Sequence, residues 1–318
     1  MELDLKDKKI ISELDMNARI SHSELGKKTR LSKQVVKYRI EKLEKLKIIQ
    51  GYNAVIDIKS LGDTIYVIYF KLIRLSSAKE KEWIKRLNSS DEIIALGKNV
   101  GLWDLTVVVK CKDNFELDQI LRKITQGIDD KIKERLITNE IESTYFSMGL
   151  LIKSKNMEVS TPVKNERIKL DDKDVLIIKE LTKNCQTSLL DLSLKIKLTP
   201  HAVRNRIKRL EEKNVILFYK TKTNYDLLGF LHFRVFLHIK NFDTELYQKL
   251  KNFLKNKGNI ESISRYVGYA DVDFRCYTKT LIELYELIFE IKNNFLEQII
   301  EVNSVPIFNW KKINYYPK

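Results

Sequence analysis

Apolar residues in the first fifty positions recur at the spacing expected for one face of a helix. Over residues 6–15, Ile10, Ile11 and Leu14 fall on one side of a predicted helix. A second, shorter helix is predicted over residues 21–29, with Leu25 facing inward. Polar residues fill the positions between, which indicates amphipathic helices packed on a small core.

A third helix is predicted to begin after Ser32, whose side chain can accept a hydrogen bond from a free amide of the first turn. Its apolar face consists of Val36, Ile40 and Leu43. The same features recur far along the chain, where Thr199 precedes Pro200 at the first helical position, a place that proline favours. The matching apolar face there consists of Val203, Ile207 and Leu210.

Beyond the third helix the apolar period changes. Residues 48–56 are predicted to form two short strands with a turn, the wing of a winged helix-turn-helix. The order that follows is strand, helix, strand, strand, helix, strand, a split βαβ or ferredoxin-like unit. Its predicted segments are 64–75, 79–87, 92–100, 105–111, 115–128 and 132–145, and the same order recurs from 231 to 310.

An internal repeat underlies these similarities. Gly229 follows Gly62 by 167 residues, and the same offset relates Asp271 to Asp104. It also relates the third helices to each other, without a gap. Because the register holds over so long a stretch, the chain is predicted to be a tandem duplication of one two-domain unit.

The predicted fold class is α+β, with two winged helix-turn-helix domains and two ferredoxin-like βαββαβ domains in tandem. Residues 154–167 contain Pro162 and few apolar residues, so they are predicted to link the copies. We call the residues before this linker the first copy and those after it the second copy. The predicted domains are helix-turn-helix units at 1–60 and 168–227, and sensor or pairing units at 61–153 and 228–318.

The polar face of each third helix carries the candidate chemistry. In a helix-turn-helix this helix enters the major groove, with its N-terminal residues near the base edges. Gln or Asn can pair with adenine, and Arg or Lys with guanine. The predicted DNA contacts are Ser32, Lys33, Gln34, Lys37, Tyr38 and Arg39 in the first copy, and Thr199, His201, Arg204, Asn205 and Arg206 in the second.

Two interpretations stay open for Arg39 and Arg206, which occupy the same position in the two copies. Each guanidinium could anchor a DNA phosphate. Each could equally form a salt bridge to a nearby acid within the small helical domain. Both roles use the same side chain at the same place on the helix.

Composition supports a polyanionic partner. The net charge of +15 favours nucleic acid first and an anionic membrane second. The N-terminus has no apolar signal segment, and no apolar run could cross a bilayer, so no membrane association is expected. Cys111, Cys185 and Cys276 lie far apart with no CxxC pair, which indicates reduced thiols in a cytoplasm and no metal site.

Several short segments together carry a family resemblance. They are Leu3-Asp4, Leu25-Gly26, 31–36, Arg39-Ile40, Leu43-Glu44, 49–57, Leu61-Gly62 and 101–105. In these segments the chain resembles the leucine-responsive/asparagine-operon regulator (Lrp/AsnC) family, twice over. The resemblance implies a winged helix-turn-helix joined to an effector-sensing α/β domain that pairs through its sheet. It also implies a small ligand, commonly an amino acid, near the Gly-x-x-Asp turn.

The sequence departs from that family in two respects. Usual members carry one unit and dimerise, whereas here the dimer is predicted to lie within one chain, with room for further homo-oligomers. The second copy has also diverged, since its wing segment 216–220 has no glycine and Ala270 stands in place of Trp103. The two third helices differ as well, so an asymmetric DNA site is expected.

The candidate effector site lies at the turn 97–104. Backbone amides near the glycines could face a carboxylate, and Asp104 could face an ammonium. The favoured alternative for Asp104 itself is a turn residue whose carboxylate caps backbone amides. The candidate effector residues are Gly97, Asn99, Gly101, Trp103 and Asp104.

The first strand of each α/β domain predicts a buried seam. Residues 65–72 are apolar on both faces, so one face is expected to cover helices and the other to pack against a second sheet. In the second copy the latter face contains His232, Arg234 and His238. A metal or tetrapyrrole site is one interpretation of the histidines, and a polar seam between sheets is the favoured one.

These patterns predict a sequence-specific regulator of transcription that binds double-stranded DNA, is modulated by a small effector such as an amino acid, and is not an enzyme. No cofactor is expected. The alternative is an enzyme resembling the sirohaem decarboxylases, which share this fold and also occur as fused pairs. A third hypothesis is a scaffold whose helix-turn-helix units no longer bind DNA, which the basic third helices disfavour.

Overall fold

The computed structural model describes residues 3–152, 157–162 and 168–313, with side chains as far as residue 308. The first copy begins with three helices and a strand. They are α1 (Leu5–Leu14), α2 (His22–Thr29), α3 (Lys33–Lys45) and β1 (Ile49–Ile56). The α/β part follows. It consists of β2 (Thr64–Leu72), α4 (Ser77–Ser89), β3 (Ile93–Asn99), β4 (Leu105–Cys111), α5 (Asn114–Thr125) and β5 (Ile132–Phe146).

The second copy repeats this order after a short strand, β6 (Glu158–Ser160). Its first part is α6 (Asp172–Lys183), α7 (Leu189–Ile196), α8 (Pro200–Glu212) and β7 (Ile216–Thr223). Its second part is β8 (Leu231–Ile239), α9 (Thr244–Lys255), β9 (Ile260–Val267), β10 (Val272–Thr278), α10 (Leu281–Asn294) and β11 (Ile299–Ile313). The predicted fold class and duplication are confirmed.

Side-chain caps fix the starts of the third helices, as predicted. The Ser32 hydroxyl accepts a hydrogen bond from the Val35 amide at 3.2 Å, and the Thr199 hydroxyl accepts one from the Ala202 amide at 3.1 Å. Such caps typically contribute about 1 kcal/mol. The predicted apolar faces of both helices are buried, and they belong to one hydrophobic core that contains residues of both copies.

The predicted wing is wrong in one respect. Residues 49–56 form a single strand, β1, which pairs antiparallel with β7 of the second copy. Asn53 lies opposite Lys220, its own equivalent in the repeat, so a pseudo-twofold axis passes between them. Pairing between copies gives each strand a full-length partner, whereas a hairpin within eight residues leaves only about three residues per strand.

The strands of the two α/β parts join in one ring. The order is β2-β4-β3-β11-β8-β10-β9-β5, and β5 returns to pair with β2. The joins between copies are β3–β11 and β5–β9, and they are equivalent under the repeat, since Asn99 lies opposite Ile307 and Tyr266 opposite Glu140. The helices of each copy cover the outer faces in separate cores.

The predicted seam lies inside this ring. Val67 and Tyr69 of β2 pack with Phe236 of β8 in a buried cluster, whereas Ile68 and Phe70 face the helices. The predicted linker is partly ordered as β6, which pairs with the end of β5. Its remaining residues at 154–156 and 163–167 lie outside the described residues. None of the helices described is long and apolar enough to cross a membrane.

Leu210 tests whether the two helix-turn-helix units share one core. It is buried at 1% exposure in the cluster that unites both copies. Leu210→Ala should lower the free energy of unfolding by about 2–5 kcal/mol and weaken amide protection in α3 as well as α8. Urea unfolding with residue-resolved hydrogen exchange measures both. Lys208→Ala on the exposed side is the control, and unchanged protection in α3 would refute a shared core.

Candidate nucleic-acid interface

The exposed faces of α3 and α8 carry most of the predicted DNA contacts. Burial of Val36, Ile40 and Leu43 turns the other side of α3 to solvent, and α8 follows the same arrangement. The exposed predicted contacts are Lys33, Gln34, Lys37 and Tyr38 on α3, and His201, Arg204 and Asn205 on α8. Interactions of these side chains within their own helices are weak. Lys37 lies 3.8 Å from Glu41, and the Asn205 side chain lies 3.4 Å from that of His201.

Two predicted contacts belong to the caps. Ser32 and Thr199 use their hydroxyl oxygens to hold the first turn of α3 and α8. Both residues are exposed beside the N-terminal residues of the helix. Their direct role is therefore to fix where each helix begins, and with it the direction of the side chains that follow.

Arg39 and Arg206 form salt bridges within their own helix-turn-helix units. The Arg39 guanidinium donates to Asp4 and Asp7 at 2.7 Å each, and these hydrogen bonds raise its pKa. Arg206 makes the equivalent bonds to Asp171 and Asp174. The salt-bridge interpretation therefore describes both arginines, and their contact with DNA stays a prediction.

These arginine clamps tie the third helix of each unit to the first. Asp4 is the N-cap of α1, and bonds from the Asp7 amide and Arg39 lower the pKa of its carboxyl. Asp7 itself is buried, with only 4% of its side chain exposed. A buried carboxylate without a partner is costly, so the clamp serves the fold of the domain.

Sequence reasoning missed three exposed side chains on the same surface. Val35 is 39% exposed in the first turn of α3. Arg30 and Lys197 end α2 and α7 with left-handed backbone at φ 56° each. They are equivalent in the repeat and lie in the turn before the third helix. The signal that could have found them is the basic residue two positions before each N-cap.

The candidate effector turn is already occupied by its own hydrogen bonds. The Asp104 carboxylate accepts from the Leu72 amide at 2.7 Å, and Asp271 accepts from the Ile239 amide at the same distance. The capping interpretation thus describes both copies. The Gly101 carbonyl accepts from the Lys71 ammonium at 2.6 Å.

The remaining candidate effector residues are buried. The Asn99 side chain is buried and its carbonyl oxygen accepts from Thr106 at 2.6 Å. Trp103 is 2% exposed and packs on Tyr69 with ring centres 5.9 Å apart. Gly97 is buried in β3. These contacts make the turn part of the seam, and the assignment of the five residues to one effector site stays a prediction.

The seam of the second copy is polar, as the favoured interpretation held. His232 stacks on Tyr277 with ring centres 4.2 Å apart, and burial lowers its pKa. Arg234 donates to the Tyr69 hydroxyl at 2.6 Å and lies 3.4 Å from Asp273. Among the described residues there is no group of three His, Cys, Asp or Glu that could hold a metal ion.

Comparison with known proteins defines the class. The AsnC-type helix-turn-helix domain matches residues 3–44 and 170–211, which are the three helices of each copy. The chain is 30% identical over 155 residues to an uncharacterized HTH-type transcriptional regulator of Pyrococcus abyssi, covering 48% of this chain and 98% of that one. It is 33% identical over 129 residues to the regulatory protein AsnC of Haemophilus influenzae, covering 40% and 85%.

A solved structure matches almost the whole chain. The siroheme decarboxylase NirDL superposes with a TM-score of 0.65, covering 98% of this chain and 94% of that one, at 11% sequence identity. At that identity the likeness shows a common fold and nothing about activity.

These findings identify a DNA-binding transcription regulator of the helix-turn-helix class. The chain belongs to the Lrp/AsnC family and contains its unit twice. The relatives above align with about half of it, whereas both copies here are joined in one molecule.

Removing the arginine clamp separates its two possible roles. Arg39→Met leaves the buried Asp7 without its partner, so the free energy of unfolding should fall by about 2–3 kcal/mol. The expected loss is below that of a fully buried pair because the guanidinium still reaches solvent. Urea unfolding measures it, and Lys42→Met is the exposed control. A stable variant whose DNA affinity loses one unit of salt dependence would restore the phosphate-anchor role.

Proposed function

We propose that the exposed faces of α3 and α8 both contact DNA bases. We call these two different recognition surfaces the two heads. The observation behind this proposal is that the N-terminal halves of α3 and α8 expose side chains that take no part in the arginine clamps. Lys33, Gln34, Lys37 and Tyr38 would contact one half-site. His201, Arg204 and Asn205 would contact the other. Gln, Asn, Lys and Arg match base edges in the major groove, and lysine also pairs with phosphate.

The two heads act together because a single chain contains both helix-turn-helix units, which would otherwise come from two subunits. The β1–β7 pairing and the joins β3–β11 and β5–β9 relate the copies by a pseudo-twofold axis. Such self-complementary pairing is the geometry of a twofold dimer interface. We infer an intramolecular pseudo-dimer that presents its heads to an inverted but unequal pair of half-sites.

Regulation without catalysis is the activity that the side chains favour. The described cysteines are buried, and burial raises the pKa of Cys185 and Cys276 to about 12, so they are poor nucleophiles. Such thiols suit a regulator in the reducing cytoplasm. An amino acid whose ammonium paired with Asp104 would compete with the hydrogen bond from the Leu72 amide to that carboxylate. We therefore favour an effector site at another place in the molecule.

Alanine substitution tests the first head. Lys33→Ala, Gln34→Ala and Lys37→Ala together should weaken specific binding by roughly 100-fold or more and reduce the salt slope by about two. Footprinting and fluorescence anisotropy across a salt series measure these effects. The control is Lys81→Ala, Lys85→Ala and Gln119→Ala, three exposed residues of α4 and α5. A triple variant that protects the wild-type footprint would refute the assignment.

Making the heads alike tests the asymmetry. Pro200→Lys, His201→Gln, Ala202→Val, Arg204→Lys and Asn205→Tyr give α8 the exposed residues in the first part of α3. Selection from a random DNA pool should yield an asymmetric site for the wild type and an inverted repeat for this variant, because both heads then read the same bases. The reverse exchange on α3 is the matched control. Palindromic DNA selected by the wild type would contradict two unequal heads.

The catalytic alternative is tested with sirohaem itself. Added to the purified chain, sirohaem should leave its absorption spectrum unchanged at micromolar protein, because His232 is buried and stacked on Tyr277 within the seam. If the wild-type chain binds sirohaem tightly with a shifted spectrum and binds no DNA, the enzyme alternative is favoured. Measuring both properties on one preparation keeps the two functions apart.

A further inference from the structure

A cavity of about 220 Å³ lies between the β1–β7 ribbon and the seam of the sheet ring. Residues of β1, β7 and both α/β parts line it. It is separate from the Gly-x-x-Asp turn, since none of the five candidate effector residues lines it. Its size suits a small organic molecule better than a single water.

The cavity has one apolar wall and one polar wall, built from equivalent positions of the two copies. The first copy contributes Ile65, Val67, Ile94 and Val108. At the same positions, 167 residues later, the second copy contributes His232, Arg234, Glu261 and Arg275. In a homodimer the two walls would be identical. The duplication allowed them to differ, so the space between them is amphipathic.

Most charges of the polar wall neutralise one another. Glu261 lies 3.5 Å from Arg275 and also contacts Lys220. Arg234 is bound to Tyr69 and Asp273. These ion pairs balance most of the charge on the polar wall, although the Arg234 Nε and both Asp273 carboxylate oxygens are buried without a hydrogen bond among the described residues.

Lys222 is the exception. It lines the cavity from β7, is half-buried, and makes no hydrogen bond or ion pair with any residue of the described chain. Burial alone lowers its pKa, because no carboxylate offsets the loss of water. Its equivalent in the first copy is Val55, which is buried, so only the second copy introduces this cation.

Glu140 restricts what Lys222 could bind. It lines the same cavity from β5 and forms no ion pair within the described ranges. A ligand with a second anionic group would bring that group toward this carboxylate and be repelled. A ligand with one anionic end and an apolar body avoids this cost.

We propose that the cavity binds a small organic monocarboxylate, whose carboxylate pairs with Lys222 and whose apolar body packs on Ile65, Val67 and Ile94. The ligand would then bridge β7, which also packs against the helix-turn-helix core, and the sheet ring. Its occupancy would adjust the position of the DNA-reading heads, a consequence that rests on the proposed function.

Three related probes test the ligand class by calorimetry on the full chain. They share a phenyl body: 3-phenylpropionate, the neutral 3-phenylpropanol and the dianion phenylenediacetate. The monocarboxylate should bind at least about 10-fold more tightly than the other two. Lys222→Met should weaken 3-phenylpropionate by roughly 10- to 100-fold, as expected for a lost charged hydrogen bond. Lys240→Met, an exposed lysine outside the cavity, should have no effect.

Glu140→Gln tests the opposite wall, where it should narrow the preference for the monocarboxylate over phenylenediacetate. Absence of binding by all three probes up to about 10 mM would overturn the proposal, as would equal effects of Lys222→Met and Lys240→Met. DNA binding of each variant without probe is measured in parallel. A chain that binds 3-phenylpropionate through Lys222 but binds no DNA would refute the proposed function and leave the ligand site standing.

Discussion

The pairing of β1 with β7 is the interaction on which the rest of the molecule depends. Each strand directs one set of side chains into the helical core and joins the three helices of its own copy to those of the other. The backbone adds further ties, since the Cys185 amide donates to the Tyr52 carbonyl and the Asn224 amide to the Ile48 carbonyl. The pairing of these two eight-residue strands thereby fixes the separation and orientation of the two third helices about one pseudo-twofold axis.

After the duplication, side chains that the fold of each copy requires stayed the same, whereas surface and cavity residues were able to diverge. Arg39 and Arg206 make equivalent salt bridges in the two copies, because each small helical domain has a buried aspartate that needs a cation. In the second copy Arg209 also pairs with that aspartate. The aspartate caps at the two turns are also the same. The recognition surfaces and the cavity walls have no such internal requirement. These surfaces differ between the copies. In a single chain a substitution changes one side of the pseudo-twofold axis, whereas in a homodimer it would change both.

Local rules predicted the parts of this structure that are local. Ser32 and Thr199 cap their helices as expected, and the buried faces follow the 3.6-residue period. The partner of β1 was missed because strand pairing depends on a segment more than 160 residues away. Asn99 and Trp103 resembled site residues, and both are buried in the fold. The Asn99 side-chain oxygen accepts from Thr106 and Trp103 packs on Tyr69, whereas the Trp103 Nε1 has no hydrogen-bond partner among the described residues. Lys222 was overlooked since its significance lies in having no described partner once folded.

Communication between the cavity and the DNA heads follows from the position of β7. One side of this strand presents Lys220 and Lys222 to the cavity, and Thr221 between them is buried and donates to the Leu14 carbonyl of α1 at 2.8 Å. A ligand held by Lys222 therefore acts on a strand bonded directly to the helix-turn-helix core. Coupling between two sites is reciprocal and typically amounts to about 1–3 kcal/mol. The proposed ligand site therefore predicts that operator DNA changes the affinity of the cavity for a carboxylate by the same factor by which the carboxylate changes the affinity for DNA.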